Sequence, residues 1–221
     1  MAKKPNDNRI AVLGLGRFGS SLALELMRQD WEVVGVDSDP QMVQTYADQL
    51  THTAVVNTTD EEALRQLGVH EMTHAVVAVG TFIEVSVMTT SLLVDFGIPN
   101  IWAKAISRQH ATILRRVGAH HVVLPEHEMG ERVAHLVTGH VLDFMEFEDD
   151  YALVKTRAPK QVTDRTLADA ALRAKYGVTV VSIKRPGEEF TYTTADTTVY
   201  AGDILIVAGK TRHVEAFANL D

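Results

Sequence analysis

Short apolar segments alternate with longer mixed segments along residues 1–125. Continuous apolar runs of four to six residues are typical of parallel strands that helices cover on both faces. The predicted strands are Ile10–Leu13, Trp31–Val36, Thr53–Val56, Ala75–Val79, Asn100–Ala105 and His121–Leu124. The predicted helices are Phe18–Gln29, Pro40–Leu50, Asp60–Leu67, Ile83–Phe96 and Arg108–Val117. The pattern therefore predicts an α/β fold with a Rossmann-like, doubly wound parallel sheet.

The alternation changes near Asp143, and the remaining residues predict a small α+β C-terminal lobe. Its predicted strands are Tyr151–Thr156, Val178–Lys184, Phe190–Thr193 and Ile204–Ala208, with one helix over Thr166–Tyr176. We predict two domains, 1–142 and 143–221, and a helix over about 126–142 that completes the first. The apolar stripe of that helix consists of Met129, Val133, Leu136, Val137, Val141 and Phe144. It indicates either ordinary core packing or a surface that pairs two subunits.

Composition excludes several classes of function. The chain has 21 Lys and Arg against 29 Asp and Glu, a net charge of -8, which disfavours nucleic-acid binding. Without cysteine it cannot form disulfides, iron–sulfur clusters or a catalytic thiol. The longest run without a charged residue, Met72–Ile83, has 12 residues, whereas a membrane helix needs about 18. The polar N-terminus lacks the apolar core of a signal peptide. We expect a cytoplasmic protein that reaches a membrane only through a partner.

One stretch carries a nucleotide-binding signature. Gly14, Gly16 and Gly19 form the pattern G-x-G-x-x-G between the first predicted strand and the first predicted helix. In such a turn the first glycine permits the bend, the second lets the backbone approach a phosphate, and the third allows close helix packing. The helix N-terminus adds unpaired N–H groups that favour an anion. Because the pattern also occurs as a purely structural turn, the neighbouring residues must decide.

The next predicted strand ends in an acidic residue, Asp37, 18 residues beyond Gly19. A carboxylate there accepts hydrogen bonds from both ribose hydroxyls and repels a 2′-phosphate, so NADP is disfavoured. Asp37 could instead cap the helix that begins at Pro40, although Ser38 and Asp39 also fit that role. Nucleotide binding is the preferred interpretation.

Whether the nucleotide serves an enzyme or a sensor depends on the rest of the chain. Arg17, between the second and third glycines, suits either. A dehydrogenase needs a substrate domain and a general acid or base near the nicotinamide. The short remainder, 143–221, contains a single histidine, His213. We therefore do not expect an enzyme.

Six segments follow one another at the spacing seen in RCK (regulator of K+ conductance) proteins: "GLGRFG", "VDSDP", "VVNTTDEEALRQLG", "HAVVAVG", "NIWAKA" and "LPEHEMG". Later, "RAKYGVTVVSIKR" and "VYAGDILIVAG" resemble the C-terminal lobe of that family. The resemblance covers Arg9 to about Phe217 and closely matches the KtrA/TrkA-type subunits. It implies a regulatory, non-enzymatic subunit that binds ATP or ADP. Such subunits form a cytosolic ring under a membrane potassium-translocating subunit, and ATP generally activates the KtrA type.

The resemblance also implies a set of nucleotide contacts. Arg17 would reach the γ-phosphate and so give ATP and ADP different contacts, which a ligand that shifts a conformational equilibrium requires. The other implied residues are Gly14, Gly16, Phe18, Gly19, Asp37, Asp39, Asn57, Thr58, Asp60, Gly80, Thr81, Phe82 and Lys104. For Lys104, a strand-end lysine that reaches solvent is an equally good interpretation.

Glu126 follows Pro125 at a predicted helix start, where the helix dipole favours a carboxylate in any case. The resemblance implies that Glu126 meets a divalent cation beside the nucleotide phosphates, and oxygen ligands suit Mg2+ or Ca2+. His127, Glu131 and His135 share one face of the same helix. We interpret that face as solvated and polar rather than as a zinc site.

The resemblance further implies a second ligand and an assembly. Arg173 would contact a phosphate of cyclic di-AMP, although the helix dipole also explains an arginine at a helix end. The subunits would pair into dimers and then into a homo-oligomeric gating ring, expected to be an octamer, beneath a KtrB/TrkH-type partner at the inner face of the membrane. The helix Ile83–Phe96 is apolar on more than one face, which indicates either ordinary core packing or burial against a neighbour as well.

Two other functions stay open from the sequence. One is an NAD(H)-binding redox sensor or small dehydrogenase, since TrkA-type relatives bind NAD(H). The other is a nucleotide-binding scaffold that serves a different membrane partner.

Overall fold

A computed structural model of the protein describes residues 8–80, 82–137 and 141–220. The chain divides after Glu126 into two compact units, each described by itself below. The predicted domains, 1–142 and 143–221, place the boundary further along the chain and stay a prediction. Helix α6, Pro125–Val137, begins in the first unit, and its residues from His127 belong to the second.

The first unit is built on six parallel strands in the order β3-β2-β1-β4-β5-β6. The strands are β1 Arg9–Leu13, β2 Glu32–Asp37, β3 His52–Val55, β4 His74–Val77, β5 Asn100–Lys104 and β6 His121–Val123. This order confirms the predicted doubly wound sheet. The order reverses between β1 and β4, and ligands of such sheets bind at the carboxyl strand ends beside that point.

Five helices connect these strands. They are α1 Arg17–Arg28, α2 Pro40–Tyr46, α3 Glu61–Gln66, α4 Ile83–Asp95 and α5 Arg108–Val117. Alternate residues of β1 enter the cores on opposite faces of the sheet: Ala11 and Leu13 pack on one side, Ile10 and Val12 on the other. Burial of both faces is why the strands read as unbroken apolar runs. Throughout the described residues, no helix is long and apolar enough to cross a membrane.

Helix α4 buries three small polar side chains together with Leu93 and leaves several large apolar side chains exposed. Ser86, Thr89 and Thr90 are fully buried, whereas Met88 is 52% exposed. Ile83 and Val94 are exposed as well. The unit itself therefore does not cover the outer apolar face of α4, so the predicted burial of that face against a neighbouring subunit stays a prediction.

The second unit contains a five-stranded antiparallel sheet in the order β11-β10-β13-β8-β7. Its strands are β7 Val141–Phe147, β8 Tyr151–Arg157, β10 Val178–Lys184, β11 Phe190–Tyr192 and β13 Ile204–Lys210. A small pair is formed by β9 Arg165–Thr166 and β12 Thr198–Val199, and the helices beyond α6 are α7 Leu167–Ala170, α8 Leu172–Tyr176 and α9 Thr211–Ala218. Phe217 lies fully buried at the centre of this unit's core. The predicted α+β lobe is confirmed.

Two residues of the apolar stripe predicted for the helix over 126–142 lie instead in strand β7. Val141 and Phe144 are both buried, and their spacing of three resembles a helical repeat. In the structure this spacing has a different cause, because the pairing of β7 with β8 shifts register between Val141 and Asp143. Such a bulge inserts one residue, so two side chains three positions apart face the same side of a strand. Residues 138–140 of the predicted helix lie outside the described residues.

The predicted single helix Thr166–Tyr176 is also wrong. It is divided into α7 and α8 at Ala171, which has φ +49° and ψ +42°. Alanine favours helix and carries no signal for this left-handed conformation. The buried side chains on either side, Ala170 and Leu172, belong to the same core. Packing therefore overrides local helix propensity here.

Candidate functional site

Backbone conformation and close packing within the chain explain two of the three glycines in the motif. Gly14 has φ +104°, which favours glycine, and an added methyl group there would lie 3.0 Å from the backbone nitrogen of Val79. At Gly19 an added methyl would overlap the carbonyl oxygen of Gly14 and lie 2.9 Å from the Cβ of Ala78. Gly14 is therefore required by its backbone conformation and by the nearby backbone of Val79, and Gly19 by the close packing of α1 on this loop.

Gly16 differs from its two neighbours in the motif. Its φ of -63° and ψ of -174° are open to any residue. Within the described part of the chain, an added methyl at Gly16 would meet no atom within 4 Å. Gly16 is exposed at the N-terminus of α1, where backbone N–H groups favour an anion. Packing does not require a glycine here. Glycine is itself a common N-cap residue, and its lack of a side chain would also let a ligand approach closely.

Gly16 lines a cavity of about 380 Å³ at the carboxyl ends of β1, β2, β3 and β4. The lining residues are Gly14, Gly16, Asp37, Ser38, Asn57, Thr58, Ala78, Val79, Gly80, Phe82 and Val85. Sequence reasoning missed Ser38, Ala78, Val79 and Val85. The position of Ala78 and Val79 directly after β4 was the available signal, because ligands in these sheets bind at strand ends.

Asp37 lies at the cavity wall and holds the glycine loop in place. One carboxylate oxygen, Oδ2, accepts the N–H of Leu15 at 2.6 Å, and the other, Oδ1, accepts the N–H of Asp39 at 2.9 Å. Each oxygen keeps a second lone pair that could accept a ribose hydroxyl. Asp37 is thus available to a nucleotide while it fixes the loop that would hold the phosphates.

Two other predicted carboxylates are helix caps in this structure. Asp39 accepts the N–H of Gln41 at 2.8 Å at the start of α2, and Asp60 accepts the N–H of Ala63 at 3.0 Å at the start of α3. Neither is among the residues found to line the cavity. Their predicted contacts with the nucleotide stay predictions, and the capping bonds explain both residues without a ligand.

Asn57 and Thr58, the polar residues after β3, form hydrogen bonds within the protein. Asn57 accepts hydrogen bonds through Oδ1 from the N–H and the hydroxyl of Thr59, at 3.1 and 2.9 Å. The hydroxyl of Thr58 is buried and hydrogen-bonded to that of Thr89 at 2.8 Å. Gly80 and Phe82 line the cavity as the prediction requires, and Thr81 lies outside the described residues.

Lys104 and Glu126, predicted separately, form an ion pair. The Nζ of Lys104 donates to Oε1 of Glu126 at 2.7 Å and lies 5.7 Å from the centre of the half-buried Phe18 ring. The hydrogen bond from Lys104 lowers the pKa of Glu126, and the charge of exposed Arg17 lowers it further. Three of the predicted charged residues therefore lie close enough to influence one another.

Glu126 fits a cation only as one ligand among several. Across the described ranges, no group of three His, Cys, Asp or Glu side chains is arranged to hold a metal ion. Mg2+ in nucleotide sites is bound through one or two carboxylates, with phosphates and water completing its shell. His127 pairs with Glu131 at 3.5 Å, whereas His135 pairs with Glu215 at 2.8 Å, so this helix face does not converge on a metal. Glu126 suits a cation that phosphates share.

Arg173 lies at a second cavity, within the second unit. Its Nε donates to the hydroxyl of Thr179 at 3.2 Å. The cavity is about 460 Å³ in volume and lies between α7, α8 and β10, with Arg173, Thr179, Thr193 and Thr194 among its polar lining residues. One cation and several hydroxyl groups are chemistry that could bind a phosphate.

Comparison with known families and relatives covers almost the whole chain. The TrkA-N domain model matches residues 10–125, and the TrkA-C domain model matches residues 153–220. Ktr system potassium uptake protein C of Bacillus subtilis is 38% identical over 208 residues, 94% of each chain. Protein A of the same system and organism is 34% identical over 214 residues, 96% of each chain. Protein A of Vibrio alginolyticus is 32% identical over 207 residues, 93% of this chain and 94% of the relative.

Solved structures show the same fold at lower identity. The GsuK RCK domain superposes with a TM-score of 0.66 at 15% identity, covering 99% of this chain. The GsuK channel bound to NAD gives a TM-score of 0.67, also at 15% identity and 99% coverage. The chain spans about half the length of the first of these structures, 48%, and 40% of the second.

Proposed function

Because the chain belongs to the TrkA-N/TrkA-C family and is similar over nearly its full length to Ktr potassium uptake proteins A and C, we propose that it is a regulatory subunit of a potassium uptake system. The proposed activity is binding rather than catalysis. ATP or ADP occupies the cavity over the glycine loop and sets the state of a KtrB/TrkH-type membrane partner. The observation that carries nucleotide binding is the open space above Gly16.

The cavity residues suggest how the nucleotide lies. Its ribose hydroxyls bind Asp37, and its phosphates lie over Gly16 at the N-terminus of α1. Arg17 and Lys104 would contact the phosphate chain, and Glu126 would be one ligand of a divalent cation that neutralises phosphate charge. NAD(H) is the second candidate for the same cavity, since GsuK has been solved with NAD bound.

Replacing Gly16 tests the ligand directly. We expect Gly16→Ala to weaken ATP and ADP binding about tenfold to a hundredfold, because an inserted methyl costs roughly 1–3 kcal/mol where atoms are tightly packed. The variant should fold normally, since the methyl meets no protein atom within 4 Å among the described residues. Isothermal titration calorimetry measures the affinities, and thermal melting checks the fold.

The matched control is Gly130→Ala, at another glycine with open space around it, on α6. It should leave nucleotide affinity unchanged. The same titrations, with ATP, ADP, NAD and NADH, each with and without Mg2+, choose the ligand. Unaltered affinity in Gly16→Ala would contradict the proposed binding mode, and a preference for NADH without a cation effect would replace the energy sensor with a redox sensor.

We propose that Arg17 distinguishes ATP from ADP by contacting the γ-phosphate. We expect Arg17→Ala to weaken ATP binding about tenfold and ADP binding much less, because a lost charge-assisted hydrogen bond costs roughly 1.5–3 kcal/mol. Arg28→Ala, at the other end of α1, is the control, since Arg28 pairs with Glu25 of the same helix at 2.9 Å. An equal effect of Arg17→Ala on both nucleotides would remove the basis for discrimination.

Assembly with further copies is proposed from uncovered apolar side chains. On α6, Met129, Val133 and Val137 follow at intervals of four residues and are 53%, 44% and 78% exposed. Side chains so spaced form one helix face. A second copy of the chain would cover this face in a dimer, and dimers would build the ring, expected to be an octamer. Light scattering that gives a monomer mass at micromolar concentration with nucleotide present would contradict the assembly.

The cavity at Arg173 is proposed to bind cyclic di-AMP, with the guanidinium on a phosphate. The hydroxyl groups of Thr179 and Thr194 offer further hydrogen bonds. Calorimetric titration with cyclic di-AMP tests it, and Arg173→Ala should abolish the binding heat if the proposal holds.

A further inference from the structure

Lys104 is placed so that its ammonium group can serve two partners. It ends β5, and its side chain is only 13% exposed, whereas that of Glu126 is 64% exposed. Its Nζ now donates to Glu126 at 2.7 Å. Both Nζ and Cε also lie 3.5 Å from the position of a Cβ built on Gly80, a residue of the cavity wall. The ammonium therefore lies between the exposed carboxylate and the cavity.

The ammonium of Lys104 and a divalent cation compete for Glu126. A carboxylate has several lone pairs, but two positive charges held a few ångströms apart at a partly buried site repel strongly. Glu126 therefore binds a divalent cation less readily while it holds the ammonium, and the ammonium needs another anion before it leaves.

The phosphate chain of a nucleotide over Gly16 supplies that anion. Lysine suits the exchange, because its ammonium is a compact point charge with three donors on a flexible stem. Gly80 favours movement of the ammonium towards the cavity, since a side chain at this position would begin 3.5 Å from Nζ.

We propose that Lys104 is an internal counter-ion that passes from Glu126 to the nucleotide phosphates, so that phosphate binding releases Glu126 for a divalent cation. This inference rests on the proposed function and deepens it. Without phosphate the ion pair weakens cation binding, and with phosphate the carboxylate is free. Because linkage is reciprocal, the cation also strengthens phosphate binding by the same factor.

A double-mutant cycle on the full chain measures the exchange. ATP is titrated calorimetrically in EDTA into the wild type, Glu126→Gln, Lys104→Met and the double variant. We expect Glu126→Gln to tighten ATP binding about tenfold in the wild-type background, because it frees the ammonium. In the Lys104→Met background the same change should tighten binding less than about threefold, since only the repulsion between carboxylate and phosphate is then removed. Equal tightening in both backgrounds would overturn the proposal.

Two further variants keep the test valid if Lys104→Met lowers the stability of the fold. Lys104→Arg keeps the charge, so Glu126→Gln should again tighten ATP binding as it does in the wild type. Lys104→Gln replaces Lys104→Met if the methionine variant melts at a lower temperature.

A separate titration with a divalent cation tests this inference independently of the proposed function. Mn2+, a paramagnetic substitute for Mg2+, is titrated without nucleotide and followed by electron paramagnetic resonance. Lys104→Met should bind Mn2+ at least about fivefold more tightly than the wild type, and the added Glu126→Gln should remove the gain. No gain in Lys104→Met overturns the ion-pair exchange. Failure of the wild type to bind ATP or ADP would overturn the proposed function, while the Mn2+ result would still judge the ion pair.

Discussion

Replacing Gly19 by alanine is expected to destabilise the first unit by at least about 3 kcal/mol, a large part of the stability of a typical domain. The added methyl would overlap the carbonyl oxygen of Gly14 and lie 2.9 Å from the Cβ of Ala78. Neither neighbour is the end of a flexible side chain, so α1 as a whole would have to move away from β1. Urea denaturation followed by tryptophan fluorescence measures the effect, because Trp31 and Trp102, the two tryptophans of the chain, both lie in this unit.

Gly16→Ala is the natural comparison, since it adds the same methyl group three residues earlier, at the N-cap of the same helix. It should shift the denaturation midpoint only slightly and act on the ligand instead. If Gly19→Ala kept the wild-type midpoint, the close packing of α1 on the glycine loop would be wrong.

Replacing Phe217 by alanine is expected to destabilise the second unit by about 3–5 kcal/mol, the usual cost of such a cavity. Phe217 is fully buried on α9, and its ring meets that of Tyr176 edge-on with centres 5.7 Å apart. Hydrogen exchange with mass spectrometry should show faster exchange in peptides from β8 and β13, the strands against which α9 packs.

Phe190→Ala is the matched control, because Phe190 lies on the outer strand β11 and is 39% exposed. Exchange in β8 and β13 should then stay close to that of the wild type. Equal protection of these strands in Phe217→Ala would mean that Phe217 is not central to this core.

The parallel sheet was predictable because its strands are buried on both faces, which leaves a direct mark on the sequence. Strand β7 was not, because the bulge between Val141 and Asp143 imitates a helical spacing. The break at Ala171 was not predictable either, since its cause is the core around Ala170 and Leu172 rather than a local preference.

The candidate site was predictable residue by residue but not as an arrangement. The glycine pattern and the end of β2 indicated Gly14, Gly16 and Asp37, and the resemblance implied Asn57, Thr58, Gly80 and Phe82, all of which line the cavity. The ion pair joins Lys104 at the end of β5 to Glu126 at the start of α6. Spacing along the sequence cannot show that these two side chains meet. The capping roles of Asp39 and Asp60 follow from helix-start rules that compete with any ligand role.

The contrast within the glycine motif bears on how such sequences change over time. A descendant that no longer needed its nucleotide would still be held to glycine at positions 14 and 19, because the folded chain demands both. Position 16 would be free to drift to alanine or serine. A retained glycine-rich pattern is therefore weak evidence that a protein still binds a ligand. The middle glycine is the position that carries this information.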